Sequence, residues 1–240
     1  MGKPLTDKMA EYLETVGYYH YQQREYSRAE PYYQEALKVW EKIYAPDEAE
    51  LCPHFIKQGR LYDAWGQYDK AEDFYQRELA IKEKAFGEDD PKLIASLRRL
   101  FTFYDTRKNF PQAERYYRRL FAIQEREIEA GTIAWYELLC DYAGFFVRWG
   151  RWPEAEGLYR RLLVSYEGLP EKNWAFEAWL AERLANLCML QGNKGAAEGF
   201  YTHALAAWEK VIIQEKESDT FVEFLEGMII FFRSIGKEQD

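Results

Sequence analysis

Four cations, Lys57, Arg60, Arg98 and Arg99, stand close together in register in a chain whose formal net charge is -9. An arginine fork matches the two oxygens of a carboxylate, so the chemistry these residues could do is to hold an acidic peptide or an acidic stretch of another protein. The competing reading is solvated surface, with Arg60 neutralised by Asp63 three residues on. Catalytic chemistry has weaker candidates. The three cysteines, Cys52, Cys140 and Cys188, form no CxxC, and the three histidines, His20, His54 and His203, are far apart. Neither metal-ligand spacing nor a nucleophile with a base beside it is visible. Cys140 and Cys188 read as small apolar fillers, and His20 as a helix-packing residue. A non-catalytic protein with no cofactor and no metal is expected, in a reducing, cytoplasmic setting.

The elements that must position these residues are set by composition first. Hydrophobic residues make up 48% and aromatic residues 18% of the 240 residues, enough apolar area for a folded, soluble protein. An acidic chain has no global attraction to nucleic acid or anionic lipid. No apolar run approaches the roughly 18 residues needed to span a bilayer, and Met1 to Thr6 lacks a secretory signal core. Gly2 and Thr6 match the spacing of a myristoylation motif, which a chance glycine also explains. Neither a nucleic-acid nor a membrane partner is expected.

Self-similarity supplies the architecture. Ala29, Ala71, Ala113, Ala155 and Ala197 follow one another at intervals of 42, each followed directly by Glu. Four residues after each stands a tyrosine (Tyr33, Tyr75, Tyr117, Tyr159, Tyr201), and eight after it Leu37, Leu79, Phe121, Leu163 or Leu205. Three before it is Tyr26, Tyr68, Phe110 or Trp152, with Lys194 the exception. Steps of four residues keep one helix face, so small alanine, tyrosine and leucine build one packed stripe. That register makes the tyrosines core filling rather than a stacking platform for single-stranded nucleic acid. A second, upstream helix carries its own stripe, Phe55, Gly59 and Tyr62 in one unit and Leu97, Leu100 and Tyr104 in the next. Gly66, Gly150 and Gly192 fall between the two helices, where a left-handed cap is wanted. Ala45-Pro46-Asp47, Gly87 to Pro91, and Gly168-Leu169-Pro170 punctuate the joints between units. The fold class is all-α, built of antiparallel helical hairpins that must stack to bury their faces.

This pattern resembles the tetratricopeptide repeat, and in particular the longer 42-residue variant of kinesin light chains, most closely over Ala71 to Leu100. The resemblance covers about Glu11 to Lys210. It implies a right-handed α-solenoid, with five hairpins over 1–217 and a C-terminal helix, half repeat or cap, over 218–240. It further implies that the first helix of each hairpin lines a concave groove. Light-chain repeats carry paired asparagines in that helix, where this chain has Glu14-Thr15, Ile56-Lys57, Arg98-Arg99, Cys140-Asp141 and Glu182-Arg183. At the positions of the chaperone-tail clamp, a Lys and Asn set in the family, the first repeat has Glu14 and Tyr18.

Carried onto this sequence, the groove positions are Glu11, Glu14, Tyr18 and Tyr21, then Lys57, Arg60 and Asp63, then Arg98, Arg99, Thr102 and Asp105. The fourth and fifth repeats add Glu137, Asp141 and Arg148, then Glu182, Arg183, Asn186 and Met189. The expected function is an adaptor scaffold whose groove holds a protein or peptide segment, with Tyr18, Tyr21, Lys57, Arg60, Arg98, Arg99, Thr102, Arg148, Arg183 and Asn186 as contacts. The alternative is a structural protein that self-assembles through its terminal repeats. The run from Thr220 to Ile235, apolar on most of a helical circumference, offers a surface to a second copy, as a homo-oligomer, or to a protein partner, with Phe224, Ile230 and Phe231 as candidate interface residues. The competing reading is a half repeat cut from a longer array.

Overall fold

The computed structural model describes residues 5–167 and 173–214, together with Val222 and Glu226. Phe224, Ile230 and Phe231, and most of the 218–240 segment, lie outside the described residues. The described residues form ten α-helices, two short 3-10 turns and no strand. In order, the helices are α1 (Leu5–Gln22), α2 (Tyr26–Ile43), α3 (Cys52–Trp65), α4 (Tyr68–Phe86), α5 (Ile94–Asp105), α6 (Phe110–Glu127), α7 (Ile133–Trp149), α8 (Trp152–Glu167), α9 (Trp174–Leu190) and α10 (Lys194–Gln214). They pair in sequence order into five hairpins. The second helix of every hairpin begins three residues before its anchor alanine, including α10 at Lys194, where the aromatic is missing. There the turn sets the start, because the Asn193 side chain accepts a hydrogen bond from the Ala196 amide at 3.2 Å.

The chain divides into two compact units, Met1–Glu127 with three hairpins and Ile128–Asp240 with two. In the first, Ala29, Ala71 and Ala113 are wholly buried, and Tyr33, Tyr75 and Tyr117 are at most 5% exposed. The tyrosine ring lies directly on the backbone of the preceding helix. A Cβ added at Gly59 would stand 2.3 Å from Cε1 of Tyr75, so only glycine admits that ring. Neighbouring hairpins are tied by a polar motif that repeats with the sequence. Tyr62 donates to Glu30 at 2.9 Å while Gln34 donates to both, and one period on Gln76 bridges Glu72 and Tyr104.

The second unit buries its anchors too, Ala155 and Ala197 completely and Tyr159 and Tyr201 to within 5%. Its last hairpin is alanine-rich, with Ala178, Ala181, Ala185, Ala197, Ala204 and Ala207 packed around Tyr201 and Trp208. Small side chains let α9 and α10 approach closely along their lengths, and burial of their apolar area stabilises the pair.

The turn inside each hairpin uses one left-handed residue, five before the anchor. Gly66, Gly150 and Gly192 hold it at φ of 79°, 77° and 75°, but Arg24 and Lys108 hold it too, at 59° and 56°. The sequence signal was the glycine. The geometry is imposed by hairpin closure, since Lys108 adopts it at a cost of about 1 kcal/mol or more.

Candidate functional site

In the first unit the helices α1, α3 and α5 carry the groove positions expected from the repeat. Two cavities open there, of about 960 Å³ and 470 Å³. The larger is lined by Glu11, Glu14, Tyr18 and Tyr21 from α1 and by His54, Lys57 and Arg60 from α3. The smaller is lined by Arg60, Asp63, Arg98, Arg99, Thr102 and Arg107 among others. Arg60 belongs to both, so the four cations lie along one continuous strip.

They are not equivalent. Glu14 is only 8% exposed, and its carboxylate sits between His54 and Lys57. Burial opposes its charge, yet the hydrogen bonds from His54 and Lys57 and their positive charge win, holding the carboxyl below its ordinary value. The His54 ring also stacks on Trp40 with centroids 4.6 Å apart. Glu78 of α4 is completely buried and is held by Lys82 at 2.7 Å, Arg99 at 3.1 Å and the Ser96 hydroxyl at 2.8 Å. Lys57 and Arg99 therefore already serve the protein's own buried carboxylates. Asp63 pairs with Arg107 rather than with Arg60, the partner that helical spacing offered. Arg60 and Arg98 are exposed, and no ion pair engages either one among the described residues.

The remaining expected contacts divide similarly. Thr102 is exposed, as is Tyr18, which stacks on Tyr21 with ring centroids 6.2 Å apart. In the second unit Arg148 and Arg183 are exposed, Arg183 lying 5.3 Å over the Trp179 ring. Asn186 accepts a hydrogen bond from Tyr201 at 2.6 Å, which ties it to the core ladder. Glu14 lines the larger cavity, but as an almost fully buried carboxylate already held by His54 and Lys57. Its pairing has no local sequence signal, because its partners are 40 and 43 residues away.

None of the thiols is set up for nucleophilic work. Burial pushes Cys52 and Cys140 up to about 11 each, so neither is a thiolate at neutral pH. His20 stacks on Tyr32 and bonds Glu25 at 2.8 Å, a helix-packing role. No helix among the described residues is long and apolar enough to cross a membrane.

The family model for the tetratricopeptide repeat matches residues 8–84 and 66–126. This is a tetratricopeptide repeat protein. The remaining hairpins continue its 42-residue register with the same buried alanine and tyrosine. Solved structures show the same fold. A putative kinesin light chain with nearly identical TPR-like repeats from Podosopora anserina is 15% identical, covering 87% of this chain and 99% of that one with a TM-score of 0.60. BtubC (BKLC) from P. vanneervenii is 18% identical over 89% of this chain and 84% of that one, with a TM-score of 0.53. The apo form of RapI is 15% identical over 94% and 83%, with a TM-score of 0.52. No protein of curated function matches the sequence significantly. Repeats of this kind use their stacked helices as extended binding surfaces.

Proposed function

We propose that this tetratricopeptide repeat protein is a non-catalytic scaffold that holds an acidic segment of another protein along α1, α3 and α5. Arg60 and Arg98 are the residues that recognise its carboxylates. The observation that carries this is that neither has a counter-ion among the described residues, beside cavities of about 960 Å³ and 470 Å³, in a chain of net charge -9. Lys57 and Arg99 add positive potential but stay with Glu14 and Glu78. Tyr18 and Tyr21 offer ring faces for an apolar side chain flanking the acidic run.

Fluorescence anisotropy with fluorescein-labelled hexaglutamate tests the proposal. Reversing both charges, Arg60→Glu with Arg98→Glu, is expected to weaken binding at least about tenfold, since each charge-assisted contact contributes about 1.5–3 kcal/mol. Raising the salt weakens it further in the wild type. Unchanged affinity in the double variant, with its far-UV circular dichroism intact, would overturn the assignment.

A further inference from the structure

The second unit carries a cavity of about 810 Å³ whose walls differ in kind from those of the first. Tyr136 from α7, Tyr166 from the end of α8, and Phe176 and Trp179 from α9 supply four aromatic rings. Tyr136 meets Tyr166 and Phe176 edge to face at 5.5 and 6.0 Å, and Phe176 lies nearly parallel to Trp179 at 5.7 Å. Two carboxylates one helical turn apart on α7, Glu137 and Asp141, share the lining with Gly131, Ile133, Cys140 and Asn173. Both are exposed, and neither has an ion-pair partner among the described residues.

A second feature belongs to the wall of the same cavity. Tyr136 is 6% exposed, and its hydroxyl is shielded from solvent with no hydrogen-bond partner among the described residues. A buried polar group left unpaired costs about 1–3 kcal/mol, so a ligand that bonds this oxygen recovers that cost. The field of the two carboxylates also reaches the cavity wall. After burial, the charges on Asp141 and Glu137 are what push the Cys140 thiol upward. An anionic ligand is repelled here, and a purely apolar one leaves the Tyr136 hydroxyl unpaired.

We infer that this cavity is a second binding site, one that takes the cationic side chain of a lysine from a partner protein. The four-carbon stem of lysine lies along the aromatic walls, and the ammonium meets ring faces, the Tyr136 oxygen and the two carboxylates. Trp179 already accepts one cation, Arg183, whose guanidinium lies over its ring but does not line the cavity. The site has the opposite charge preference to the acidic-segment groove and does not depend on it.

The test is a 15N-edited NMR titration of the full chain with Nα-acetyl-lysine methylamide, against the norleucine analogue, which is matched in stem but neutral. Saturable shifts at Tyr136, Glu137, Asp141 and the Trp179 indole are expected with lysine, and binding at least about fivefold weaker with norleucine. Glu137→Gln with Asp141→Asn should lose at least about fivefold in affinity, with folding kept because both sites are exposed. Tyr136→Phe, which keeps the ring, should lose at least about fivefold. Tetramethylammonium chloride should displace the lysine amide better than sodium chloride at equal ionic strength. Equal binding of norleucine, equal displacement by sodium, no saturable binding, or shifts confined to residues away from the cavity would each overturn the site.

Discussion

The two units use the same anchors for the same purpose and fill their open faces with opposite chemistry. In Met1–Glu127 the groove side is ionic: Glu14 and Glu78 are buried and neutralised, and the cations that remain are Arg60 and Arg98. In Ile128–Asp240 the corresponding helices present Tyr136, Phe176 and Trp179 with Glu137 and Asp141, which have no ion-pair partner among the described residues. The ladder of alanine and tyrosine is common to both units, and in the first unit Tyr33 and Tyr75 also reach the walls of the two cavities. On the proposed reading, the charge that each unit selects is set by positions other than the anchors within one 42-residue period.

The largest expected effect separates two adjacent arginines that look interchangeable in sequence. Arg99→Glu sets a carboxylate against buried Glu78 and should cost about 3–5 kcal/mol, the usual result of breaking a buried pair. Arg98→Glu, on an exposed position, should change stability by about ±0.5 kcal/mol. Chemical denaturation of the two variants checks this, and similar losses would mean that Glu78 does not depend on Arg99.

Glycines sharpen the contrast at a smaller scale. Gly59→Ala drives a methyl into the Tyr75 ring and should destabilise by about 1–3 kcal/mol. Gly144→Ala in α7 meets only the Arg148 side chain, 3.9 Å away, and should gain up to about 1 kcal/mol. Thermal melts that moved both variants the same way would contradict the packing described. Smaller again is the left-handed slot. Lys108→Gly relieves a position held at φ of 56° and should stabilise by about 0.5–1 kcal/mol, whereas Gly150→Ala, at 77°, should destabilise by a similar amount.

The smallest effect is in pH. The Glu14 carboxyl is lowered in the folded protein, so its contribution is complete above its ordinary value of 4.5 and fades as pH falls through the lowered one. The stability gap between wild type and Glu14→Gln should therefore narrow between pH 5 and pH 3 or so. A gap that widened on acidification would reverse the assigned sign.

The hairpins were legible because their signals are local. Ala113, Tyr117 and Phe121 lie within two turns of one helix, and a single period applied to them locates every hairpin. The state of each charge was not legible, because its partner is distant along the chain. Helical spacing offered Arg60 to Asp63, but Arg107, 44 residues on, takes that carboxylate. Arg99 reached Glu78, a residue whose position on α4 reads as ordinary surface until α5 packs beside it. The aromatic cavity was hidden for a related reason. Tyr136 on α7 and Trp179 on α9 are distant along the chain, and only the fold brings them to the wall of one cavity.

The most direct test of the central claim, that the two units differ in the charge they recognise, is a 15N-edited titration of the full chain with hexaglutamate. The account predicts shifts at residues around Lys57–Arg60 and Arg98–Thr102, and none around Tyr136–Asp141. Shifts centred on Tyr136–Asp141, or no saturable shift in the first unit, would contradict it.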